Sequence, residues 1–245
     1  MNFFLAFSRA FRSLFHKKVF LHLLWPSLVA IAIWGAVGYF SWDWLTSGIF
    51  NWVENWPWIG KRIGGSEIAS GTALLMIKMI IFIAYLPLIY VTSSIILGAF
   101  ALPLILEFIA KKEYPDIEQR HGGTNAGSIW NTTTATLVFI AALVFSLPFW
   151  LIPGVGFIVP MLLVSWFNQR TYGYDALVLH ADKEEIRAVQ QKLRAPMMVI
   201  GICCSLLLYV PLLNLLAPAF TGLTFVHYLL GNLRKLRAGA PLGPA

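Results

Sequence analysis

Charged residues are scarce in this chain. Lys, Arg, Asp and Glu make up only 12% of its 245 residues, whereas hydrophobic residues make up 58%. Soluble domains carry roughly twice that charge and about 45–50% apolar residues. Four windows contain none of the four charged residue types: Val19–Trp42, Met79–Leu106, His121–Gln169 and Ala195–Leu233. Apolar runs of about 18 or more residues indicate membrane helices, so we expect an integral α-helical membrane protein rather than a soluble one.

The motifs of catalysis and cofactor binding are also missing from the sequence. The only two cysteines, Cys203 and Cys204, are adjacent and are interpreted as packing residues. No His-x-x-x-His, Cys-x-x-Cys, Walker-type loop or Gly-x-Ser-x-Gly elbow is present. We therefore expect no enzyme, no metal and no cofactor. The net charge of +7 is interpreted as membrane topology, and no nucleic-acid partner is expected.

The first half of the chain predicts one surface helix and two crossing helices. Phenylalanines and Leu14 recur at helical spacing in Asn2–Phe15, which predicts an amphipathic helix in the membrane surface. A first crossing is expected over 19–40, followed by a loop over 41–71 that holds five of the ten tryptophans. Tryptophan favours the headgroup level, so this loop should lie at an interface. The second crossing lies within 72–110, where Pro87, Thr92–Ser94 and Pro103 are candidate bends.

The second half contains an internal repeat with an offset of 58 residues. Both copies contain the pattern Pro-x-x-(Gly or Asn)-x-x-x-Pro, and Gly and Asn tolerate the left-handed backbone that a tight turn between helices requires. The pattern predicts two copies of one helical hairpin. Between them, Asp182 and Glu185 have the spacing of a capping box for a short soluble helix. The repeated residues are Pro153, Gly156 and Pro160 in the first copy and Pro211, Asn214 and Pro218 in the second.

The arms Pro196–Val210 and Pro218–Leu230 are too short to cross a core of about 30 Å, so we expect re-entrant hairpins. The predicted fold is an all-α integral membrane protein with two long transmembrane helices, two re-entrant helical hairpins and an amphipathic N-terminal helix. Fifteen of the 18 Lys and Arg residues then share one side, which the positive-inside rule makes cytoplasmic; Lys61 and Arg62 lie opposite, and Lys78 lies inside a span. Six full crossings satisfy the same charges.

The predicted segments form a single membrane domain over 1–237. They are an interfacial helix and basic turn (1–18), a first crossing (19–40), a periplasmic Trp-rich loop (41–71), a second crossing with a bent extension (72–110), a cytoplasmic loop (111–131), hairpin 1 (132–167), a cytoplasmic linker helix (168–194), hairpin 2 (195–233) and a disordered tail (238–245).

Paired hairpins with Ile152-Pro153-Gly154-Val155-Gly156 and Pro211-Leu212-Leu213-Asn214 resemble the CysZ family of bacterial inner-membrane sulfate permeases. The related grouping also includes the eukaryotic etoposide-induced membrane proteins. The resemblance extends from about Phe3 to Leu236. It implies the same two crossings and two hairpins, assembly as dimers or higher oligomers, and sulfate uptake that feeds cysteine synthesis.

The family's sulfate site lies at a Gly-x-Arg-Arg turn before the first long helix, where this chain has Phe15-His16-Lys17-Lys18. The resemblance therefore implies an anion-binding site at His16, Lys17 and Lys18. The glycine is absent, and lysine offers a point charge in place of the planar arginine fork. The selectivity for sulfate over other small oxyanions stays open.

A path for the anion can be predicted from the hairpins themselves. Backbone groups at their turns cannot face lipid, and the second arm of each hairpin presents its positive helix end there. The predicted apex residues are Pro153, Gly154, Gly156, Pro211 and Asn214.

Two functions are carried forward. The first is an anion permease or channel, most plausibly for sulfate, in the lipid bilayer of the bacterial inner membrane with both termini cytoplasmic. The second is a non-transporting assembly or stress-related protein of the same fold.

Overall fold

The computed structural model describes residues 1–58, 60, 66–152, 154–210 and 213–242. Within these ranges the chain is helical and contains no strand. The predicted apex residues Pro153 and Pro211, the cations Lys61 and Arg62, and the last three residues of the predicted tail lie outside the described residues. The chain contacts define two units, Leu23–Ala99 on the one hand and Met1–His22 with Phe100–Ala245 on the other.

Long apolar helices alternate with short helical segments along the described chain. In order, they are α1 (Phe3–Leu14), α2 (Lys17–Glu54), α3 (Glu67–Ile96), a π-helical segment (Leu97–Ala101), α4 (Leu102–Glu113), α5 (Asn125–Ser146), a 3₁₀ segment (Leu147–Leu151), α6 (Val155–Asp175), α7 (Lys183–Lys192), α8 (Arg194–Ser205), a second 3₁₀ segment (Leu206–Tyr209) and α9 (Leu213–Arg237).

The unit Leu23–Ala99 consists of most of α2 together with α3. Polar side chains join the two helices: Ser27 Oγ lies 2.8 Å from Ser93 Oγ, and Trp34 Nε1 donates to Thr92 Oγ1 at 2.9 Å. Thr92 and Ser93 of the predicted bend thus have partners on α2, and α3 remains helical through the patch at Thr92–Ser94. Hydrogen bonds between polar side chains are a usual means of joining apolar helices in a membrane. The α3 helix also continues through Pro87, and its regular pattern ends at the π-helical segment before Pro103.

The α2 helix is longer than the sequence predicts. It continues through Phe40 to Glu54, so 41–54 is helix rather than loop. At about 1.5 Å per residue its 38 residues extend about 57 Å, well beyond a core of about 30 Å. Its far end carries the exposed tryptophans Trp44 and Trp52, and the predicted cluster of interfacial aromatics is therefore presented on helix.

Three helical stretches are long and apolar enough to cross a membrane, considering the described residues: Lys17–Glu54, Glu67–Ile96 and Ala126–Leu151. The pair Lys183–Lys192 and Arg194–Tyr209 also qualifies when taken together, but it bends by 69°. The first arm of hairpin 1 therefore has the length of a full crossing. In hairpin 2, Arg194–Tyr209 extends only about 24 Å at 1.5 Å per residue, as the sequence predicts.

The two hairpins have the same backbone geometry at the predicted offset of 58 residues. In each copy a helix tightens into a 3₁₀ segment, one residue becomes extended, and a new helix begins at Val155 or at Leu213. The repeat is thus visible in hydrogen bonds as well as in sequence. The equivalent pairs are Ile152 N–H to Phe149 O (3.1 Å) with Val210 N–H to Leu207 O (3.3 Å), and Gly156 N–H to Ile152 O (3.5 Å) with Asn214 N–H to Val210 O (3.1 Å).

The second proline of each repeat has a different role from the one predicted. Pro160 lies inside α6 and Pro218 inside α9, so neither begins an arm. N–H groups in the first turn of a helix have no partner within the helix, so a proline there costs no hydrogen bond. Pro160 and Pro218 lie beyond the first turn of their helices. The second arm of hairpin 2 consequently extends from Leu213 to Arg237 and is longer than the predicted Pro218–Leu230.

The core of the larger unit is built around α9. Phe225, Tyr228, Leu229 and Leu230 on this helix are fully buried. The helix packs against α1, α4, α6, α7 and α8. A helix buried on all sides within its unit is hydrophobic around most of its circumference, which agrees with the uncharged run in the sequence.

The linker helix α7 has the predicted capping box, which is confirmed. Asp182 Oδ1 accepts from the N–H groups of Glu184 and Glu185, and the Glu185 carboxylate accepts from the N–H of Asp182. The Arg237 guanidinium at the end of α9 then binds both Glu185 oxygens at 2.9 Å. It also donates to the backbone oxygen of His180 at 2.7 Å, so α9 and the linker are held together.

Gly154 has φ of +83°, a conformation that only glycine adopts readily. Because a Cβ there would meet no atom within 4 Å, the effect of Gly154→Ala should come from backbone strain alone. We expect a loss of about 1–2 kcal/mol in unfolding free energy, seen as a lower Tm of the detergent-solubilised protein. The control is Gly35→Ala in α2, also in open space but helical, which should be neutral or stabilising. Equal Tm values for the two variants would contradict the strain.

Hydrogen bonds from Arg237 hold the pKa of the Glu185 carboxyl below its ordinary 4.5. A lowered folded-state pKa stabilises the protein above about pH 4.5, and this contribution disappears as the pH falls through the folded value. Glu185→Gln should therefore lower the Tm at neutral pH, by the equivalent of about 1–3 kcal/mol, and lose less on acidification than the parent. The control variant is Glu184→Gln, which changes the exposed carboxylate next to Glu185. An unchanged acid profile in Glu185→Gln would contradict this role for the ion pair.

Candidate functional site

A basic cavity of about 390 Å³ opens beside the turn between α1 and α2. Residues from α1, from the turn, from α4 and from α9 surround it, all within the larger unit. The cavity is called the basic pocket below. Its lining consists of Arg9, Arg12, Ser13, His16, Ile109, Lys112, Glu113 and His227.

The two arginines of the basic pocket, Arg9 and Arg12, are positioned by the docking of α1 onto α9. Ala6 and Ala10 of α1 are fully buried, and small residues allow two helices to approach closely. Aromatic pairs continue the contact, since the rings of Phe3 and Tyr228 stack with centroids 5.5 Å apart. With this face buried, Arg9 and Arg12 are left at the pocket.

A buried hydrogen-bond network around His227 forms the wall of the pocket. Ser13 Oγ lies 3.0 Å from His227 Nε2, and Tyr114 Oη lies 3.0 Å from His227 Nδ1 and 3.1 Å from the His227 backbone oxygen. One tautomer satisfies all these groups: Ser13 donates to Nε2, Nδ1–H donates to Tyr114, and Tyr114 donates to the backbone oxygen. The third member of the set is a phenol rather than the carboxylate of a hydrolytic triad, so the network holds α1, α9 and the Tyr114 segment in register.

Burial raises the pKa of the Tyr114 phenol, although the nearby Arg9 and Arg234 oppose the shift. Tyr114 therefore stays neutral and keeps the proton that it donates to the His227 backbone. The Arg234 guanidinium also lies over the Tyr114 ring, 5.1 Å from its centroid.

The Phe108 ring of α4 gathers further cationic groups next to the pocket. Lys18 Nζ lies 4.5 Å from the ring centroid and Lys112 Nζ lies 6.0 Å from it, on a ring that the His16 imidazole also approaches at 5.2 Å. A cation above an aromatic ring is attracted by its π-face, so Phe108 can hold both ammonium groups without neutralising them.

The charges of the basic pocket leave an excess of positive charge. Arg9, Arg12 and Lys112 face a single lining carboxylate, that of Glu113. Among the ion pairs of the described residues, none includes any of these four side chains. Such a concentration of cations attracts anions, and guanidinium groups present paired N–H donors to an oxyanion.

The structure places the three sequence-predicted anion residues unequally. His16 lines the pocket, Lys18 lies beside it over Phe108, and Lys17 is exposed at the start of α2. Sequence reasoning missed Arg9, Arg12 and Lys112. The signal for the first two was the arginine spacing of three residues on the polar face of α1, whereas Lys112 is brought in by tertiary contacts alone.

The predicted apex residues lie elsewhere in the fold. The start of α9 at Leu213 precedes His227 by about 21 Å along the helix, so the apices and the basic pocket are separate. The two apices touch: the rings of Phe157 and Tyr209 have centroids 4.3 Å apart, and Tyr209 Oη donates to the Phe157 backbone oxygen at 3.4 Å.

The apex of hairpin 1 is apolar, and its backbone donors are occupied. The N–H groups of Val155, Gly156, Phe157 and Ile158 all donate to backbone oxygens at positions 152 and 154. A Cβ on Gly156 would lie 3.0 Å from the Trp150 oxygen, so this glycine allows a close approach. At the apex of hairpin 2, the Asn214 N–H donates to the Val210 backbone oxygen. The structure therefore shows backbone hydrogen bonds at both apices, and the role of the apices in an anion path stays a prediction.

Long apolar helices, a buried hairpin helix and a basic pocket define a helical integral membrane protein with an anion-attracting surface. The chain matches the family described as "Sulfate transporter CysZ/Etoposide-induced protein 2.4" over residues 6–218. It therefore belongs to this family, as the hairpin motifs predict. No curated protein and no solved structure matches the chain.

Proposed function

We propose that this protein is an anion permease or channel of the bacterial inner membrane and that sulfate is the ion it takes up. The observation that carries the proposal is the basic pocket, in which three permanent cations surround a cavity of about 390 Å³. Liquid water occupies about 30 Å³ per molecule, so such a cavity holds a small oxyanion together with several waters. Family membership supports the same ion class.

The basic pocket contains the arginines that are absent from Phe15-His16-Lys17-Lys18, where the family has Gly-x-Arg-Arg. A planar guanidinium fork suits the oxygens of a tetrahedral anion better than an ammonium group does. Although the first two residues of α2 are lysines, Arg9 and Arg12 supply guanidinium groups from α1, within the same cavity as His16. We propose that the oxyanion binds between these arginines and Lys112, with Lys18 increasing the local potential.

The proposed topology follows from charge and helix length. Two long helices, α2 and α3, cross the bilayer, while both hairpins enter from the cytoplasm and return to it. The short Arg194–Tyr209 arm and the cations of the linker support this arrangement for hairpin 2. Both termini and the basic pocket are then cytoplasmic, so the pocket would receive or release the ion on that side.

We propose that copies of the chain associate, as a dimer or a higher oligomer. The described apex side chains are apolar and exposed, with Leu151 87% exposed and Ile152 and Tyr209 about half exposed. Apolar groups at the depth of the bilayer are covered by lipid or by other helices. A path lined by hairpin turns needs protein around it, which a second copy would supply.

One observation favours a non-transporting role. The N–H groups of residues 155–158 at the start of α6 are bonded within the turn, so these four are not the free helix-end donors that an anion path would use. Apolar, tightly turned apices also suit an assembly protein whose hairpins pack against other membrane helices. The uptake measurement separates the two functions.

The first experiment measures radiolabelled sulfate uptake into liposomes that contain only this protein. The parent protein should exceed empty liposomes, and Arg9→Gln/Arg12→Gln should reduce uptake roughly tenfold or more, because charge-assisted bonds to the oxyanion are lost. The matched control Lys183→Gln/Lys192→Gln removes the same charge from exposed positions of α7 and should retain uptake.

Two further variants sharpen that experiment. Arg9→Lys/Arg12→Lys keeps the charge but removes the fork, so retained uptake would show that charge alone suffices. Lys17→Ala/Lys18→Ala tests the turn, and we expect a smaller loss than from the arginine pair. Uptake by the parent at the level of empty liposomes would contradict the permease and favour the non-transporting role.

A second experiment tests the topology by labelling single cysteines with a membrane-impermeant maleimide in intact cells. In a background with Cys203→Ala and Cys204→Ala, Lys183→Cys in the linker should resist labelling until the membrane is opened. Asn55→Cys, after the far end of α2, is the control and should be labelled from outside. Labelling of the linker position in intact cells would exclude the returning hairpins.

A further inference from the structure

A second cavity, of about 530 Å³, lies between α5, α6, α7 and α8 and is separate from the basic pocket. Its charged lining residues are Arg170, Arg187 and Arg194, and no carboxylate lines it. The half-buried Trp166 and the buried Met197 supply an apolar part of the wall. This cavity is called the arginine cavity below.

Amide side chains fix the backbone that carries two of the arginines. Asn131 Nδ2 of α5 donates to the Arg170 backbone oxygen at 2.9 Å, and Gln169 Nε2 donates to the Arg194 backbone oxygen at 3.2 Å. On the third side, Gln190 Nε2 of α7 donates to the Gly173 oxygen at 3.3 Å. The helices around the cavity are therefore joined by polar contacts, which fix the backbone positions of Arg170 and Arg194.

The three guanidinium groups have no ion-pair partner among the described residues. At the start of α7, Asp182 and Glu185 bind Arg120 and Arg237, and Glu184 forms none of these ion pairs. Three positive charges thus converge on one cavity without internal compensation. An external anion with several oxygens would relieve their mutual repulsion.

The aromatic residues at this cavity place it at a membrane interface. Trp130, adjacent to Asn131, is 71% exposed, and Trp166 lies one helical turn before Arg170. Tryptophan is enriched at the headgroup level, where arginine also meets lipid phosphates. The exposed Val199, further along α8 than Arg194, suits an acyl chain below such a headgroup.

We propose that the arginine cavity binds a phosphoryl group, held by the guanidinium groups of Arg170, Arg187 and Arg194. The phosphate of an anionic phospholipid and free inorganic phosphate share this chemistry, and the experiment distinguishes them. The site lies apart from Arg9 and Arg12 and does not require sulfate transport, only embedding in the bilayer.

Two binding measurements test the proposal on the full-length purified protein. Native mass spectrometry from detergent counts bound phosphatidylglycerol against phosphatidylcholine. Thermal unfolding of delipidated protein in inorganic phosphate, with chloride at equal ionic strength, reports on the free ion. Arg170→Gln/Arg194→Gln should weaken binding roughly tenfold or more in whichever measurement shows it. Lys183→Gln/Lys192→Gln removes equal charge outside the cavity and should bind like the parent.

Each outcome has a definite meaning. Phosphatidylglycerol retained by the parent and the lysine variant, lost in the arginine variant and not displaced by inorganic phosphate identifies a lipid headgroup. Stabilisation by phosphate alone, lost in the arginine variant, identifies the free ion. Equal binding by the arginine variant and the parent, equal losses in both variants, or no binding of either probe by the parent would overturn the site. Because sulfate uptake depends on different residues, a failure here leaves the permease proposal intact.

Discussion

The burial of α9 is the constraint on which the larger unit depends. Thr224, His227 and Asn232 on this helix are fully buried, so each polar side chain needs a partner inside the protein. Thr224 and Asn232 bond back to carbonyl oxygens one turn earlier, at Phe220 and Tyr228. His227 cannot be satisfied in this way, and its ring nitrogens instead meet Ser13 and Tyr114. One buried imidazole therefore requires the N-terminal helix and the segment after α4 to lie against hairpin 2.

The docking of α1 and the linker onto α9 also fixes where charged side chains lie. Once Ser13 faces His227, helical geometry places Arg9 one turn earlier on the same face and Arg12 next to it, where Lys112 and Glu113 complete the basic pocket. At the other end of α9, Arg237 binds Glu185 and the carbonyl oxygens of Glu118 and His180, which holds the linker in place. The contacts of His227 and of Arg237 thus limit the freedom of the backbone that carries these exposed cations.

Much of the fold was predictable because its signals are local or periodic. The uncharged windows and the capping box of Asp182 and Glu185 depend on residues close in sequence, and the hairpin offset is a repeat of one local pattern. The length of α2 was not predictable, because its tryptophans suggested an interfacial loop. Tryptophans at the headgroup level also fit a helix that continues beyond the bilayer. The pocket was only partly predictable. The phenylalanines of α1 dominated its pattern, whereas the small face of Ala6 and Ala10, which decides the packing, has little hydrophobic signal.

The repeat shows how one backbone design can serve two environments. The turns at Ile152 and Val210 have equivalent hydrogen bonds, but the helices that follow differ in burial. α9 is buried throughout residues 221–230, whereas the corresponding α6 keeps partly exposed side chains over much of its length and ends at the arginine cavity. Equivalent hydrogen bonds at the two turns therefore precede one helix that is buried in the core of the unit and another that is partly exposed. The copies differ in their side chains and in the length of their first arms, and each cationic cavity is lined by residues from several elements of the unit.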